Sequence, residues 1–305
     1  MLNYYGAHTG RFSGGDKVNL QNLPRNGKLR AALTAPKGQL VVACDSSQIE
    51  ARMVAYLADQ KDLLQSFRDA NDVYSEFATD VYGKPVSKAD KLERHVGKTA
   101  ILGLGYGMGA PKFQASLKSG FPSVTVDESE ARRVVDLYRN KNHKIVSLWN
   151  RCNHVIKDLV SGGSGQVCSI LDYDAEGIRM PNGLYIRYPA LRRGADGYEY
   201  INDARSYKNR HMEGTNWTKI YGGKVVENIT QAVARIVVAE QMVAIGQRYH
   251  VALQVHDEVV CIVDEDKAEE ARDFMVEVMS TPPSWASDLP VACEADIGAN
   301  YGEAK

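Results

Sequence analysis

Apolar residues in this chain fall partly into short strand-like runs and partly into stretches with helical spacing. Two of the strand-like runs are Gln39–Cys44 and Val251–Val263. Three polar residues, His256, Asp257 and Glu258, interrupt the second run, which predicts a hairpin with two adjacent carboxylates at its bend. A solvated turn that happens to carry two acids is the simpler interpretation of this hairpin.

The first strand-like run also ends in an acid, Asp45. Apolar residues at helical spacing follow it: Ile49, Met53, Tyr56 and Leu57. A buried strand is therefore predicted to carry Asp45 at its C-terminal end, although Asp45 would also suit a helix N-cap. Neighbouring carboxylates repel each other unless a cation lies between them, and a divalent metal is the usual one. The strand-end acids thus indicate a site suited to two-metal phosphoryl transfer.

A third segment, 87–107, predicts a basic helix that contains glycines, with Ser87 and Asp90 forming a capping box at its start. Residues four apart line one face in the order Arg94, Lys98, Leu102 and Tyr106. Such a stripe is commonly an ordinary solvated face. Along this stripe, two cations are followed by an apolar and an aromatic residue, and this order favours nucleotide binding. Cations suit the oxygens of a triphosphate, and an aromatic ring suits a base or sugar.

The remaining pattern is mainly helical. Predicted elements are helices at 131–138, 145–159 and 225–243, a capping box at 125–128, a turn at 161–165, a hairpin at 178–188 that turns at Asn182-Gly183, and a strand at 291–297. The helical stripe within 145–159 is expected to be core.

Composition narrows the class of protein only moderately. The chain has 305 residues, of which 44% are hydrophobic and 25% charged, which is typical of a protein with a sizeable core. No stretch approaches the roughly 18 apolar residues of a membrane span, so no membrane partner is expected. There is no secretory signal, and five cysteines without a CxxC pair indicate a reduced, cytoplasmic protein without zinc.

The net charge of −1 is not typical of a nucleic-acid-binding protein. Phosphate contacts would therefore depend on local basic clusters. The sequence contains two such clusters: Lys17, Arg25, Lys28 and Arg30, and then Arg192, Arg193, Arg205, Lys208 and Arg210. A solvated loop is the favoured interpretation of the second cluster.

Several ordered blocks resemble the polymerase part of family A DNA polymerases, the DNA polymerase I-like group, and phage members most of all. The blocks are Thr9-Gly-Arg11 with 19–24 (palm entry), Asp45–Arg52 (motif A), Arg94–Gly107 (motif B), Tyr221–Ala232 (minor-groove helix), Val255–Glu258 (motif C) and Glu294–Ala304 (C-terminus). They stand in the family's order and cover nearly the whole chain.

The resemblance implies a mixed α/β (α+β) fold in two parts. A palm with an antiparallel sheet would comprise 1–58 and 222–305, and largely helical fingers would comprise 59–221. The family carries a thumb, and commonly a 3′–5′ exonuclease domain, before the Thr-Gly-Arg block. Because only eight residues precede Thr9, we expect either a fragment or a second polypeptide that supplies the thumb and, in some versions, the exonuclease.

The resemblance also implies template-directed addition of dNTPs to a primer 3′ end, with two Mg²⁺ ions as cofactors and a DNA primer-template as partner. The cell compartment would be the cytoplasm, that of the bacterial host if a phage encodes the chain. The implied roles are catalysis for Asp45, Asp257 and Lys98; metal binding for Asp45, Ser46 through its carbonyl, Asp257 and, as a weaker candidate, Glu258; nucleotide binding for Arg94, Lys98, Leu102, Tyr106, Glu50, Gln48 and Tyr74; and DNA binding for Arg11, Gln231 and His256.

Three positions depart from the family pattern. Leu102 replaces the usual motif B aromatic, Ser46 or Ser47 replaces the motif A aromatic, and Tyr74 stands where the fingers often have a phosphate-binding histidine. A tyrosine can donate a hydrogen bond there but brings no charge.

His256 has a second interpretation. Instead of contacting DNA, it could be a buried histidine with satisfied hydrogen bonds.

Two other classes of function remain as alternatives. One is a palm-and-fingers subunit that binds DNA without catalysis or needs a partner chain for activity, which the intact Asp45, Lys98 and Asp257 disfavour. The other is a metal nuclease that uses the same acids, which the triphosphate-type helix disfavours.

Overall fold

A computed structural model of the chain describes residues 2–15, 19–24, 28–202 and 217–304. The strands are β1 Leu2–Asn3, β2 Ser13–Gly14, β3 Gln39–Ser46, β4 Gly165–Cys168, β5 Leu171–Asp174, β6 Gly177–Arg179, β7 Tyr185–Ile186, β8 Arg192–Gly194, β9 Gly197–Ile201, β10 Trp217–Ile220, β11 His250–Val255, β12 Glu258–Asp264 and β13 Cys293–Gly298.

The helices are α1 Lys28–Ala31, α2 Ile49–Ala58, α3 Lys61–Arg68, α4 Val73–Tyr82, α5 Lys91–Leu104, α6 Ala110–Ser119, α7 Glu128–Lys141, α8 His143–Val160, α9 Gly222–Gly246 and α10 Ala268–Met279. The chain divides into a first unit, Met1–Ile49 with Gln231–Lys305, and a second unit, Glu50–Thr230. From the predicted basic clusters, Lys17, Arg25, Arg205, Lys208 and Arg210 lie outside the described residues.

An antiparallel sheet with the strand order β11-β12-β3-β13 forms the centre of the first unit. β11 and β12 form the predicted hairpin, which bends at His256 and Asp257. In the register of β3, Asp45 lies directly opposite Glu258 on β12 and Glu294 on β13. Three acids therefore occupy one row at the end of the sheet.

Both faces of β3 are buried, which explains its continuous apolar run. Val42 and Cys44 belong to a core that includes residues of α9 and α10. Val41 and Ala43 belong to the opposite core, together with the buried ring of Tyr301. Side chains alternate between the two faces of a strand, so each face receives its own apolar set. This burial holds the strand rigidly up to its polar end.

The strand continues past the predicted end at Cys44 and includes Asp45 and Ser46. Helix α2 begins only at Ile49, so the interpretation of Asp45 as a helix N-cap is wrong. Between the strand and the helix, Gln48 has a φ of 56°, in the left-handed region. This residue turns the chain from the sheet into α2.

Helices dominate the second unit, as the sequence predicts for 131–138 and 145–159. The buried stripe of α8 consists of Ile145, Leu148, Cys152, Val155 and Ile156. The helix at 128 is capped by Asp127, whose side chain accepts a hydrogen bond from Glu130 N, instead of by Thr125.

The second unit also contains two small antiparallel sheets, with the strand orders β4-β5-β6-β7 and β10-β9-β8. They include the predicted hairpin, in which Ile178 pairs with Ile186 and Gly183 has a φ of 79°. Most of the other strands in these sheets were not predicted. They have only three to five residues each, too few to show a clear alternation of apolar and polar positions.

The basic helix is shorter than predicted. The Ser87 amide and hydroxyl donate to the Asp90 carboxylate at 2.8 and 2.9 Å, but these bonds close a turn ahead of α5, which begins at Lys91. An added Cβ at Gly97 would lie 2.0 Å from the carbonyl oxygen of Tyr74 in α4. Gly97 therefore allows the close packing of α5 against α4.

Helix α9 is the one helix in the described parts of the chain that is long and apolar enough to cross a membrane, judged by length and composition. Its polar Asn228 and Thr230 are buried, and Asn228 donates to the Tyr188 hydroxyl at 3.3 Å. Farther along, Val238 and Ile245 belong to the core of the first unit. These contacts are typical of a core helix.

The contact at Gly97 predicts that Gly97→Ala destabilises the protein by about 1–3 kcal/mol, because the backbone of α4 must move. Gly103→Ala in the same helix is the matched control. There the new Cβ meets only the flexible end of Met108, at 2.8 Å, and replacing a helical glycine gains up to about 1 kcal/mol. Urea unfolding followed by circular dichroism compares the variants, and equal stability of both would contradict the packing role.

Candidate active site

Asp45 and Asp257 come together at one end of the central sheet of the first unit. The amide of Ser46, next to Asp45, donates a hydrogen bond to the carbonyl of Asp257 at 3.1 Å. This bond fixes the bend of the β11–β12 hairpin at the end of β3. Both aspartates are half-buried, so the sheet holds two carboxylates in partial contact with solvent.

Glu258 lies beside these acids in sequence but is only 1% exposed. Its carboxylate accepts a hydrogen bond from the hydroxyl of Tyr301, which is 2% exposed. Burial, followed by this bond to Glu258, raises the pKa of Tyr301, so the hydroxyl stays protonated. Glu258 is therefore an acid that is hydrogen-bonded inside the core.

The side chains at this end of the sheet supply oxygen donors, the kind that hard divalent cations prefer. Among the described residues, no group of three or more His, Cys, Asp and Glu side chains could hold a metal. Mg²⁺ commonly binds one or two carboxylates and completes its octahedral shell with waters and substrate phosphates. Asp45, Asp257 and the Ser46 carbonyl supply oxygen donors of this kind at the end of β3.

His256 occupies the first position of the hairpin bend. It is exposed and has a φ of 55°, and its carbonyl accepts a hydrogen bond from the side chain of the buried Gln254. The interpretation of His256 as a buried histidine is therefore wrong. The bend presents its ring to the surface of the first unit.

In the second unit, Arg94 is held by Asp72. The guanidinium donates two hydrogen bonds to this carboxylate, from Nε at 2.6 Å and from Nη2 at 3.1 Å. The ring of Tyr74 lies 5.3 Å from the guanidinium carbon, and Tyr74 is only 5% exposed. Tyr74 thus contacts Arg94 and is largely shielded from solvent.

The pKa of Asp72 reflects this pairing. Burial raises the pKa of the carboxyl, but hydrogen bonds from Arg94 and Ser75 outweigh burial and bring the pKa below its ordinary value. Asp72 therefore stays ionised and fixes the orientation of Arg94. The sequence did not indicate this role of Asp72, although Asp72 lies only two residues before Tyr74, which was predicted to bind the nucleotide.

Lys98 and Leu102 follow Arg94 along α5. Lys98 is exposed and Leu102 is 38% exposed, so the helix directs a cation and an apolar side chain outward, as its spacing predicts. Burial, followed by the charge of Lys98, lowers the pKa of the neighbouring His95. His95 therefore favours its neutral form, and Lys98 brings the positive charge at this part of the helix.

Tyr106 lies just after α5 and not within it. Its hydroxyl donates to Glu50 Oε2 at 3.2 Å, which joins two predicted site residues that are 56 positions apart. Burial, followed by the Glu50 charge, raises the pKa of Tyr106 well above its ordinary value. The indole of Trp149 donates to the carbonyl of Gly105 at 2.8 Å and holds the turn that carries Tyr106.

The remaining predicted residues are Arg11, Gln231, Gln48 and Ser46. Arg11 is part of a turn in which the Ala7 amide donates to the Arg11 carbonyl at 3.1 Å. Gln231 is half-buried on α9, and Gln48 is half-buried between β3 and α2. Ser46 is buried, and its hydroxyl has no hydrogen-bond partner among the described residues.

Comparison with known proteins defines the family. The model of DNA polymerase family A matches residues 1–160. The DNA polymerase of Bacillus phage SP02 is 28% identical over 99% of this chain and 52% of its own length. The thermostable DNA polymerase I of Thermus filiformis is 29% identical over 97% of this chain and 31% of its own length.

A solved structure shows the same fold. It is described as the POL domain of Pol1 from M. smegmatis in complex with DNA primer-template and dNTP. It superposes with a TM-score of 0.69 at 21% identity and covers 99% of this chain and 48% of that one. The chain belongs to DNA polymerase family A, and it spans about half or less of the length of these relatives.

The Arg94–Asp72 pair predicts a pH-dependent contribution to stability. Because the folded-state pKa of Asp72 is lowered, the contribution is complete above the unfolded pKa of about 3.9 and is lost as the pH falls. At pH 6, Asp72→Asn should lower the free energy of unfolding by roughly 1 kcal/mol, since the pair is partly exposed. This difference from wild type should shrink by pH 3.

Urea unfolding across pH measures this difference directly. Asp69→Asn is the matched control, because Asp69 accepts its hydrogen bond from Gln65, at 2.8 Å, instead of from an arginine. A gap between wild type and Asp72→Asn that stayed constant from pH 6 to pH 3 would contradict the ion pair.

Proposed function

We propose that this chain carries out template-directed DNA synthesis, adding a dNTP to a primer 3′ end and releasing pyrophosphate. The observation that carries the proposal is the hydrogen bond that brings Asp257 beside the end of β3, next to Asp45. These acids belong to two sequence motifs of the polymerase family that are more than 200 residues apart. The membership of the chain in DNA polymerase family A supports the assignment.

Asp45 and Asp257 would hold two Mg²⁺ ions, with the Ser46 carbonyl as a further ligand. Bound metal ions would activate the primer hydroxyl and stabilise the leaving pyrophosphate. Glu258 would act mainly by position, because its bond to Tyr301 ties the start of β12 to the core. The adjacent hairpin bend, and with it Asp257, would then keep its place.

Arg94 and Lys98 would bind the triphosphate, for which a guanidinium and an ammonium are suitable partners. Lys98, which is exposed on α5, would also give a proton to the leaving pyrophosphate. The carboxylate of Asp72 and the ring of Tyr74 orient the guanidinium of Arg94. Tyr74 would therefore serve nucleotide binding through Arg94.

The sugar and base of the dNTP would contact a second group of side chains: Gln48, Glu50, Leu102 and Tyr106. Glu50 is fixed by the Tyr106 hydroxyl and would lie where a ribose 2′-hydroxyl must fit. Arg11, Gln231 and His256 would contact the minor groove. Correct base pairs offer similar acceptors there, so these residues would test the shape of a pair without reading its sequence.

We also propose that tight DNA binding requires contacts beyond these 305 residues. A net charge of −1 leaves few phosphate contacts, which supply most affinity that is independent of sequence. A thumb would supply them, either from a second polypeptide or from more of the same protein. Synthesis would take place in the cytoplasm, where template and dNTPs are available. If the chain only binds DNA, extension will fail even with such a partner.

Replacing either metal-binding acid tests the reaction. Asp45→Asn or Asp257→Asn should lower single-turnover primer extension at least about a thousandfold, because each removes a ligand charge. Asp296→Asn is the matched control, since Asp296 is exposed and lies opposite Ala43 on the same face of the sheet. Extension is measured with excess chain, with and without a thumb-bearing partner. Normal extension by either acid variant would refute the assignment.

The Glu50–Tyr106 contact predicts sugar selection. Glu50→Ala should raise the ratio of ribonucleotide to deoxynucleotide incorporation about tenfold or more, because it opens space for the 2′-hydroxyl. Glu50→Gln keeps both the volume and an acceptor for Tyr106, so it should stay selective. The ratio is measured from competing single-nucleotide additions, and an unchanged ratio in Glu50→Ala would place the gate elsewhere.

The exposed Leu102 predicts discrimination against dideoxynucleotides. A tyrosine hydroxyl at this position would replace the hydrogen bond that a missing 3′-hydroxyl cannot make, so Leu102→Tyr should accept terminators about fivefold better. Leu102→Phe adds the ring without the hydroxyl and is the control. Competition between dideoxy- and deoxynucleotides gives the ratio, and equal terminator use by wild type and Leu102→Tyr would be inconsistent with this placement.

A further inference from the structure

Arg235 is a cation surrounded by aromatic rings. In the first unit, its guanidinium carbon lies 5.3 Å from the ring centre of Tyr4, 5.6 Å from that of Tyr5 and 5.9 Å from that of Phe12. Its Nε is buried and has no hydrogen-bond partner in the described residues. The three rings lie around this guanidinium, with Tyr4 69% exposed and Tyr5 37% exposed on their outer sides, and we call the arrangement the aromatic cage.

All three rings of the aromatic cage come from one N-terminal segment, residues 2–14. Its ends pair as an antiparallel bridge, in which Leu2 lies opposite Gly14 and Asn3 opposite Ser13. Within it, the rings of Tyr4 and Phe12 meet edge to face at 5.5 Å. The segment is thus a small closed loop, and three of its aromatic rings lie near Arg235.

Arg11 lies within this loop, and its neighbours are fixed on both sides. Phe12, the next residue, is part of the aromatic cage. Gly10, the preceding residue, has a φ of 74°, and an added Cβ there would lie 2.5 Å from the Tyr5 ring. The Arg11 carbonyl accepts the Ala7 amide at 3.1 Å. The backbone of Arg11 therefore follows the position of the rings.

The other side of the cage is helix α9, which also carries Gln231. Arg235 follows Gln231 by four residues, so the two side chains lie on the same face of the helix, one turn apart. Both are half-buried. The residue that holds the N-terminal loop is therefore one turn from a residue proposed to contact the DNA minor groove.

We propose that Arg235 is a positioning residue that fixes the Arg11 loop to the helix of Gln231, so that the two minor-groove contacts keep a constant spacing. This inference rests on the proposed function of Arg11 and Gln231. A check of base-pair shape requires donors at fixed separation, because correct pairs differ little in their minor-groove acceptors. Each cation–π contact is individually modest, and three from one segment together oppose its detachment.

The test compares Arg235→Leu, Arg11→Ala and the double variant with the unmodified chain. Fluorescence anisotropy gives the Kd for a primer-template with a matched and with a mismatched terminal pair, which requires no catalysis. Amide hydrogen exchange of residues 2–14 reports how firmly the loop is held. Arg248→Leu is the matched control, because Arg248 lies 5.3 Å and 5.0 Å from the rings of Tyr249 and Phe274, elsewhere in the first unit.

We expect Arg11→Ala and Arg235→Leu each to reduce the mismatched-to-matched Kd ratio about three- to tenfold. The double variant should lose no more than Arg11→Ala alone, because Arg235 acts through Arg11. Exchange in residues 2–14 should accelerate in Arg235→Leu, while Arg248→Leu should change neither the ratio nor the exchange in this segment.

Three results would overturn the inference. Additive losses in the double variant with unchanged exchange would show that Arg235 makes its own contact with DNA. A ratio unaffected by Arg235→Leu but reduced by Arg11→Ala would show that the cage does not position Arg11. A ratio unaffected by Arg11→Ala would refute the proposed minor-groove role of Arg11 itself, and with it this inference, whatever Arg235→Leu does.

Discussion

Two carboxylates can share a metal site only if the protein holds them near each other despite their repulsion. In this chain the pairing of β3 with β12 holds Asp45 and Asp257 at the same end of the sheet. The register places Asp45 opposite Glu258, and the Ser46 amide holds the carbonyl of Asp257 at 3.1 Å. A slip by one residue would turn the side chains of β3 to the other face. Apolar cores on both faces of the strand oppose such a slip.

Burial makes this end of the sheet rigid and also determines which of its acids are in contact with solvent. Glu258 is almost completely buried, and an isolated buried charge is costly unless it is hydrogen-bonded. The Tyr301 hydroxyl supplies that bond. Asp45 and Asp257 remain half-exposed, where solvent or a substrate can complete a metal shell. Neighbouring acids in this chain thus have different environments, one buried and hydrogen-bonded and two partly open to solvent.

In the second unit, hydrogen bonds between side chains fix the orientation of several candidate site residues. Asp72 fixes Arg94, and Glu50 and Tyr106 fix each other. A free arginine side chain loses rotamer entropy when it binds a ligand, and a preformed pair has already lost part of that freedom. The close approach of α4 and α5 at Gly97 brings Tyr74 near Arg94. The packing of α4 against α5 and the orientation of Arg94 therefore depend on neighbouring contacts.

The sequence alone determined the elements that carry chemistry. Long patterns with a clear period predicted β3, the β11–β12 hairpin, α8 and α9, because hydrophobic burial acts on local periodicity. The order of motifs indicated the family, which the comparison confirmed. Most short strands of the second unit were missed, since so few residues leave no periodic signal. The start of α5 was placed too early, because the Ser87–Asp90 hydrogen bonds close a turn ahead of the helix.

Tertiary structure alone decided which residues meet. Tyr301 reaches Glu258, Asp72 reaches Arg94, and Arg235 gathers three rings from the N-terminal segment. No local pattern specifies these pairs, because they are 43, 22 and more than 200 residues apart. They form only when the sheet and helices have brought distant segments together. The sequence therefore defined the candidate groups, and the packing of the chain determined how each one is held.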